Sequence, residues 1–199
     1  MPILTYKNKT PIIDPTALVS PNATLIGDVE IGANSVVWSG AFLRAEAAPI
    51  RIGKYCSVFD GVMMFTRSDK SPIHIGNWNI IETGTSIFGV FSEDYATIAE
   101  SCVIYERSSI GEGAVILPET IIIAGMVVAE RSIMKGDPAS VVREQSRNDV
   151  LKEKERAEHF TEMFVRMRNR LPNLQPYALS ENDFMRVLID ALRENKKIE

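Results

Sequence analysis

The sequence predicts an all-β solenoid, a triangular parallel β-helix of about six coils, followed by C-terminal α-helices. Three observations carry this. Aliphatic residues recur at every sixth position over most of the first 130 residues, a period that suits neither a helix nor a plain strand. The fourth residue after each aliphatic mark is mostly small. All twelve glycines lie at or before Gly136, whereas 21 of the 55 residues from 145 to 199 are Asp, Glu, Lys or Arg. We therefore divide the chain into a repetitive body, 1–144, and a charged helical extension, 145–199.

The marks run Ile13, Val19, Leu25, Ile31, Val37, Leu43, then Ile52, Val58, Met64, then Ile75, Ile81, Ile87, and finally every sixth residue from Ile98 to Val128. That makes eighteen hexads. Each hexad reads as one short strand and one corner, with the mark pointing inward. The small residues, among them Ala17, Ala23, Ala47, Cys56, Cys102 and Ala114, fill the narrow angle of the triangle. Gly, Asn or Asp often follows the mark, as in "IGANSV" and "IGEGAV", and is expected to supply the positive φ of the corner. Coils of three hexads stack at strand spacing, ~4.7–4.9 Å.

The rhythm breaks three times, as insertions after Leu43, Met64 and Ile87, in the sixth, ninth and twelfth hexads. All are multiples of three, so all three emerge from one edge of the prism on consecutive coils. Loops gathered on a rigid scaffold are where a site is expected.

The extension begins with Ser146 as N-cap and Asp149 three residues later. Phe160, Met163, Phe164, Met167 and Leu171 recur at helical spacing, so this stripe is expected to pack on the solenoid or on a neighbouring subunit. Pro172 stops that helix. A second helix, capped by Ser180, presents Phe184, Val187, Leu188, Ala191 and Leu192 and is expected to serve assembly or a protein partner.

The net charge of -4 argues against nucleic-acid binding. No stretch approaches the ~20 apolar residues of a membrane span. The first residues do not read as a signal peptide, and two cysteines build no disulfide framework. A soluble, cytoplasmic protein is expected.

The repeat resembles the hexapeptide repeat of the left-handed parallel β-helix, a scaffold shared by acyltransferases and γ-class carbonic anhydrases. The detailed likeness is to the second group. It rests on "PIIDPTALVSPNATLIGDVEIGANSVVWSGAFLRAE", "PIRIGKYCSVFDGVMMF", "IGNWNIIETGTSIFG" and "MKGDPASVVRE", and covers about residues 10–144. The resemblance implies a homotrimer with zinc held between subunits by three histidines and a water. Such a centre needs neutral imidazoles and one open position. The three histidine positions are Phe65, Thr83 and Phe88 here. Phe65 and Phe88 each directly follow a mark, in the ninth and twelfth hexads, so they are expected on adjacent coils. The family's glutamine near the metal is replaced by Phe59. Arg44, Glu46 and Asp60 remain at positions that help build the family's subunit interface. No cofactor is expected, and the zinc site reads as degenerate.

The leading expectation is a non-catalytic trimeric scaffold or binding protein, or one with a repurposed intersubunit cleft. The alternative is an acyltransferase acting on a CoA thioester in that cleft, with His74 as general base. His74 also reads as an ordinary outward strand residue. Glu82, Glu93, Asp94 and Glu100 could bind a hard cation or form a solvated loop, and Glu100 and Glu106 could instead face a neighbouring subunit. Phe59, Met63, Met64, Phe65, Phe88 and Phe91 would make the cleft apolar. Cys56, Cys102, Trp38 and Trp78 are expected in packing roles.

Overall fold

Each inward residue of the repeat pairs with its equivalent one coil later, and this register defines the molecule. The computed structural model describes residues 3–169. Val19 pairs with Val37, Val37 with Val58, and Val58 with Ile81 in parallel register, and the column continues through Ile98 and Ile116 to Met134. We name this face 2. Face 1 stacks Ile13, Ile31, Ile52, Ile75, Ser92, Ile110 and Val128. Face 3 stacks Ile3, Leu25, Leu43, Met64, Ile87, Ile104 and Ile122. These residues form the continuous core, most of them fully buried. The fold is the expected parallel β-solenoid with a C-terminal helix.

It has about seven turns rather than six. The difference comes from three rungs beyond the eighteen marks: Met134, which continues the rhythm one step past Val128, and Ile3 and Ser92, which the aliphatic pattern does not mark. Ile3 lies ten residues before Ile13, outside the six-residue rhythm, yet pairs with Leu25. Ser92 takes the inward place between Ile75 and Ile110 and is fully buried. The third break is therefore no insertion but a corner shortened by one residue, followed by a regular hexad. Ala96, four residues after Ser92, is the small residue the rule requires, and it too is fully buried. Phe91 consequently points outward and is 53% exposed.

The two true insertions share the edge between faces 3 and 1, the 3–1 edge. In the first, strands Thr24–Ile31 and Phe42–Ile52 pair around the corner, from Gly27↔Ala45 to Val29↔Ile50. Residues 46–49 are squeezed out, which leaves Ala47 exposed rather than in the narrow angle. The second insertion is the loop 66–72 between strands Met63–Phe65 and Ile73–Ile75.

Positive φ falls three residues after the mark, not one: at Asn34, Tyr55, Trp78, Tyr95, Ser101, Arg107, Glu119 and Arg131, and at Gly40, Gly61, Gly84, Gly113 and Gly125. The glycine directly after the mark has another cause. A Cβ on Gly32 would lie 2.5 Å from the Gly53 carbonyl oxygen, and one on Gly53 equally close to that of Gly76. Successive coils touch backbone to backbone there.

Helix α1, Arg147–Asn169, covers face 2. Its first turn is closed reciprocally: the Asp149 N–H donates to Ser146 Oγ at 3.2 Å, and the Ser146 N–H to Asp149 Oδ2 at 2.9 Å. Met163 and Phe164 pack on Leu18, Val36 and Trp38, with Phe59 and Phe160 beside them. The solenoid ends in an antiparallel pair, Ser132–Gly136 with Ala139–Glu144, lying over the last rung of face 2. The expected side-chain contacts of Met167, the stop at Pro172 and the helix after Ser180 fall outside the described side chains and residues. No helix of the described residues is long and apolar enough to cross a membrane.

Candidate functional site

The residue after each inward mark of face 3 lands on the 3–1 edge, so Phe65, Phe88 and Tyr105 form a column there. Phe65 and Phe88 lie on adjacent coils with ring centroids 6.2 Å apart, and Phe88 is 5.7 Å from Tyr105. Phe42 meets Phe65 edge-on at 5.7 Å. The rings are half-buried. Each phenyl carries a guanidinium over its face. Arg44, register partner of Phe65, sits 4.7 Å from that ring's centroid, and Arg67 sits 3.8 Å from the centroid of Phe88. Each arginine has one loose carboxylate partner, Glu46 at 3.5 Å and Glu106 at 3.8 Å.

The insertions place Arg67. Thr66 is buried and its N–H donates to the Arg44 carbonyl at 3.2 Å. Its hydroxyl oxygen accepts from the N–H groups of Ala47 and Ala48 at 3.3 and 3.1 Å, which ties the two insertions together. The second insertion then returns over Gly89, where a Cβ would lie 2.9 Å from that of Ser71. No other residue fits this crossing without a shift. Neither Arg67 nor Thr66 belongs to the repeat pattern or to a motif of the sequence. The available signal was their position, inside an insertion and directly after Phe65.

Chemically, this edge offers apolar faces and two cations. Benzene rings have no lone pair, so Phe65 and Phe88 cannot ligate zinc, which takes N, S or O donors. Thr83 lies elsewhere, exposed on the edge between faces 2 and 3, where its carbonyl accepts from the Ser101 N–H. The residues present do not fit a three-histidine centre. Among the described residues, no three His, Cys, Asp or Glu side chains gather as a metal ion would need.

The remaining sequence candidates separate. Asp60 and Glu100 share the 2–3 edge with Thr83 and are exposed. Phe59 is not part of the ring cleft. It stacks on Trp38 at 5.7 Å and meets Phe160 of α1 edge-on at 5.3 Å, because it follows a face 2 mark and the helix passes over that face. Met64 is likewise a core rung and lines no cleft. Glu82 follows the next face 2 mark and is ion-paired with Arg156 of α1. Burial pushes the Glu82 carboxyl above its ordinary value against the pull of Arg156, and neighbouring Glu100 adds to the rise. Glu93 and Asp94 lie on the third edge, where Glu93 accepts from the Glu112 N–H and Asp94 from Asn77. The four carboxylates close in sequence therefore do not gather at one place: Glu82 and Glu100 are neighbours, while Glu93 and Asp94 lie on another edge. His74 is exposed on face 1 and stacks on Phe91, with centroids 4.9 Å apart.

Cys56 and Cys102 are fully buried in the narrow angle, as expected. Burial pushes their thiols up to about 12 and about 11. At neutral pH neither offers a thiolate nucleophile.

No family model matches the chain. It is similar to the carnitine operon protein CaiE of a Proteus species, 28% identical over 186 residues that cover 91% of each chain. It is also similar to a carbonic anhydrase of Geobacillus kaustophilus, 30% identical over 148 residues, covering 74% of this chain and 81% of that one. Among solved structures it resembles a presumed acetyltransferase of Bacillus cereus, with TM-score 0.79 and 24% identity over 82% of this chain and 94% of that one. At that identity the likeness speaks for the fold alone.

Proposed function

The chain belongs to the γ-class carbonic anhydrase-like family of hexapeptide-repeat proteins, and from that premise we propose that it is a trimeric member without a working zinc centre. It acts as a scaffold or binding protein, or through a repurposed cleft between subunits. The observation that carries this reading is the Phe65–Phe88 pair, 6.2 Å apart on adjacent coils, with guanidinium groups where a metal would need donors. The exposed Thr83, Asp60 and Glu100 on a different edge suit a neighbouring subunit, because one chain cannot bring them to the rings. The name carnitine operon protein assigns no reaction, so none is carried over from it.

A protein partner would dock on the 145–199 extension. The inner side of α1 is already spent on face 2. The outer side of α1 remains for a partner.

The test is elemental analysis of untagged, chelator-free protein of trimer mass, followed by a carbon dioxide hydration assay on the same sample. We expect no stoichiometric transition metal and no rate above buffer. One zinc per subunit with measurable hydration would overturn the reading, as would a monomeric mass.

A further inference from the structure

A groove of about 550 Å³ runs along the corner between faces 1 and 2, within the size range of small-molecule sites. Its floor is bare because Gly32 and Gly53 stack too closely to carry a side chain. Outward residues of face 1, Glu30, Arg51 and His74, flank it on one side. Asp14 and Lys54 flank it on the other. It shares no residue with the Phe65–Phe88 edge, so it stands independently of the function proposed above.

The charged groups of this groove differ in what they already hold. Arg51 is engaged by Asp28 at 2.7 Å and Glu30 at 3.2 Å. The Asp14 carboxylate accepts from the N–H and hydroxyl of Thr16 at 2.8 and 2.6 Å. The backbone N–H of Lys54 is bound to Asn77 Oδ1, but among the described residues its ammonium makes no ion pair. His74 makes none either. The His74 ring is held nearly parallel to Phe91, tilted by 10°. Phe91 lies one coil farther along the axis, so it covers one ring face. The groove extends the opposite way, past Arg51, the register partner of His74, toward Glu30.

We infer that this groove binds a small monocarboxylate with a flat body. The carboxylate pairs with the Lys54 ammonium, and the flat body lies over Gly53 beside the His74 ring. Charge decides the class. One anionic charge matches Lys54, whereas a dianion such as phosphate would also meet Asp14 and Glu30. The shallow glycine floor selects for flatness, and the ring held by Phe91 is pre-oriented to stack.

The chain contains only two histidines, His74 and His159, so imidazole NMR signals report the groove with a control in the same molecule. Titrating the full chain with benzoate should shift the His74 signals saturably and leave His159 in place. Lys54→Ala should weaken that binding by at least about tenfold. Benzyl alcohol and inorganic phosphate should each move His74 far less than benzoate at equal concentration and ionic strength. Lys54 and His74 are exposed, so the variant is expected to fold, which circular dichroism checks. The inference is overturned by an unsaturable shift, by equal movement of His159, by unchanged affinity in Lys54→Ala, or by phosphate acting as strongly as benzoate.

Discussion

Two edges of the solenoid carry aromatic rings at the same place in the repeat, directly after the inward mark, and the chain treats them differently. On the 2–3 edge, Trp38 and Phe59 stack at 5.7 Å and are roofed by α1, with Phe164 5.4 Å from Trp38 and Phe160 5.3 Å from Phe59. On the 3–1 edge, Phe65 and Phe88 carry the guanidinium groups of Arg44 and Arg67, and among the described residues no helix roofs them. A roof of rings removes apolar area from water, worth roughly 25 cal/mol per Å². An exposed cation over a ring is worth only about 0.5–1 kcal/mol. The first edge is therefore completed within one chain. The second is held by weak, exchangeable contacts, as suits a surface that meets a second copy or a ligand.

The largest expected effect tests that contrast directly. Phe164 is buried, so Phe164→Ala should cost about 3–5 kcal/mol in denaturant unfolding. Half-buried Phe65→Ala should cost about 1–2 kcal/mol at low protein concentration. If the ring edge is an interface, the Phe65→Ala deficit grows as protein concentration rises, whereas that of Phe164→Ala stays constant. Equal losses at every concentration would remove the distinction between the edges.

A smaller effect is expected from the arginines. Arg156 pairs with a nearly buried Glu82 and also reaches Glu153 at 3.6 Å, itself bonded to Thr97 on face 2. Arg156→Ala should cost about 1–2 kcal/mol, between the limits for exposed and buried pairs. Arg67 is more exposed and its carboxylate partner more distant. Arg67→Ala should cost less than about 1 kcal/mol in the isolated chain. A larger loss in Arg67→Ala than in Arg156→Ala would show that the open edge carries structural weight.

The periodic part of this architecture was legible because one rule repeats: an aliphatic rung, then a small residue four places on. It failed where polar groups satisfy one another inside the core. Ser92 replaces an aliphatic rung, and Asn79 replaces a small residue on the preceding coil. The Ser92 hydroxyl donates to Asn79 Oδ1 at 2.9 Å, and Asn79 Nδ2 donates to the Glu93 carbonyl at 2.8 Å. Two departures from the rule are thus one buried polar pair, each paying the other's desolvation. The Phe65–Phe88 adjacency followed from counting hexads. The place of Phe59 did not, because sequence spacing says nothing about which face a helix from the far end of the chain will cover. Arg67 was hidden for the reason that makes it interesting: insertions obey no period.

The two ends of the α1 anchorage should also respond to pH with opposite sign. Asp149 is exposed, and the Arg143 guanidinium, with the N–H and hydroxyl of Ser146, holds its carboxyl well below the ordinary value. A depressed carboxylate contributes stability that is present above the ordinary value, about 4, and lost as pH falls below it. Glu82 is the reverse case. Burial raises its carboxyl, so its contribution is complete below the ordinary value and declines as pH rises through the elevated one. Thermal midpoints measured from pH 3 to 7 separate the two. Asp149→Asn should flatten the acid limb and leave the upper limb unchanged. Glu82→Gln should flatten the decline on the neutral side and spare the acid limb. An acid limb unaltered in Asp149→Asn would place the acid-sensitive group elsewhere, and a helix that stays docked at low pH would show that the roof over Trp38 and Phe59, rather than the cap, holds α1 in place.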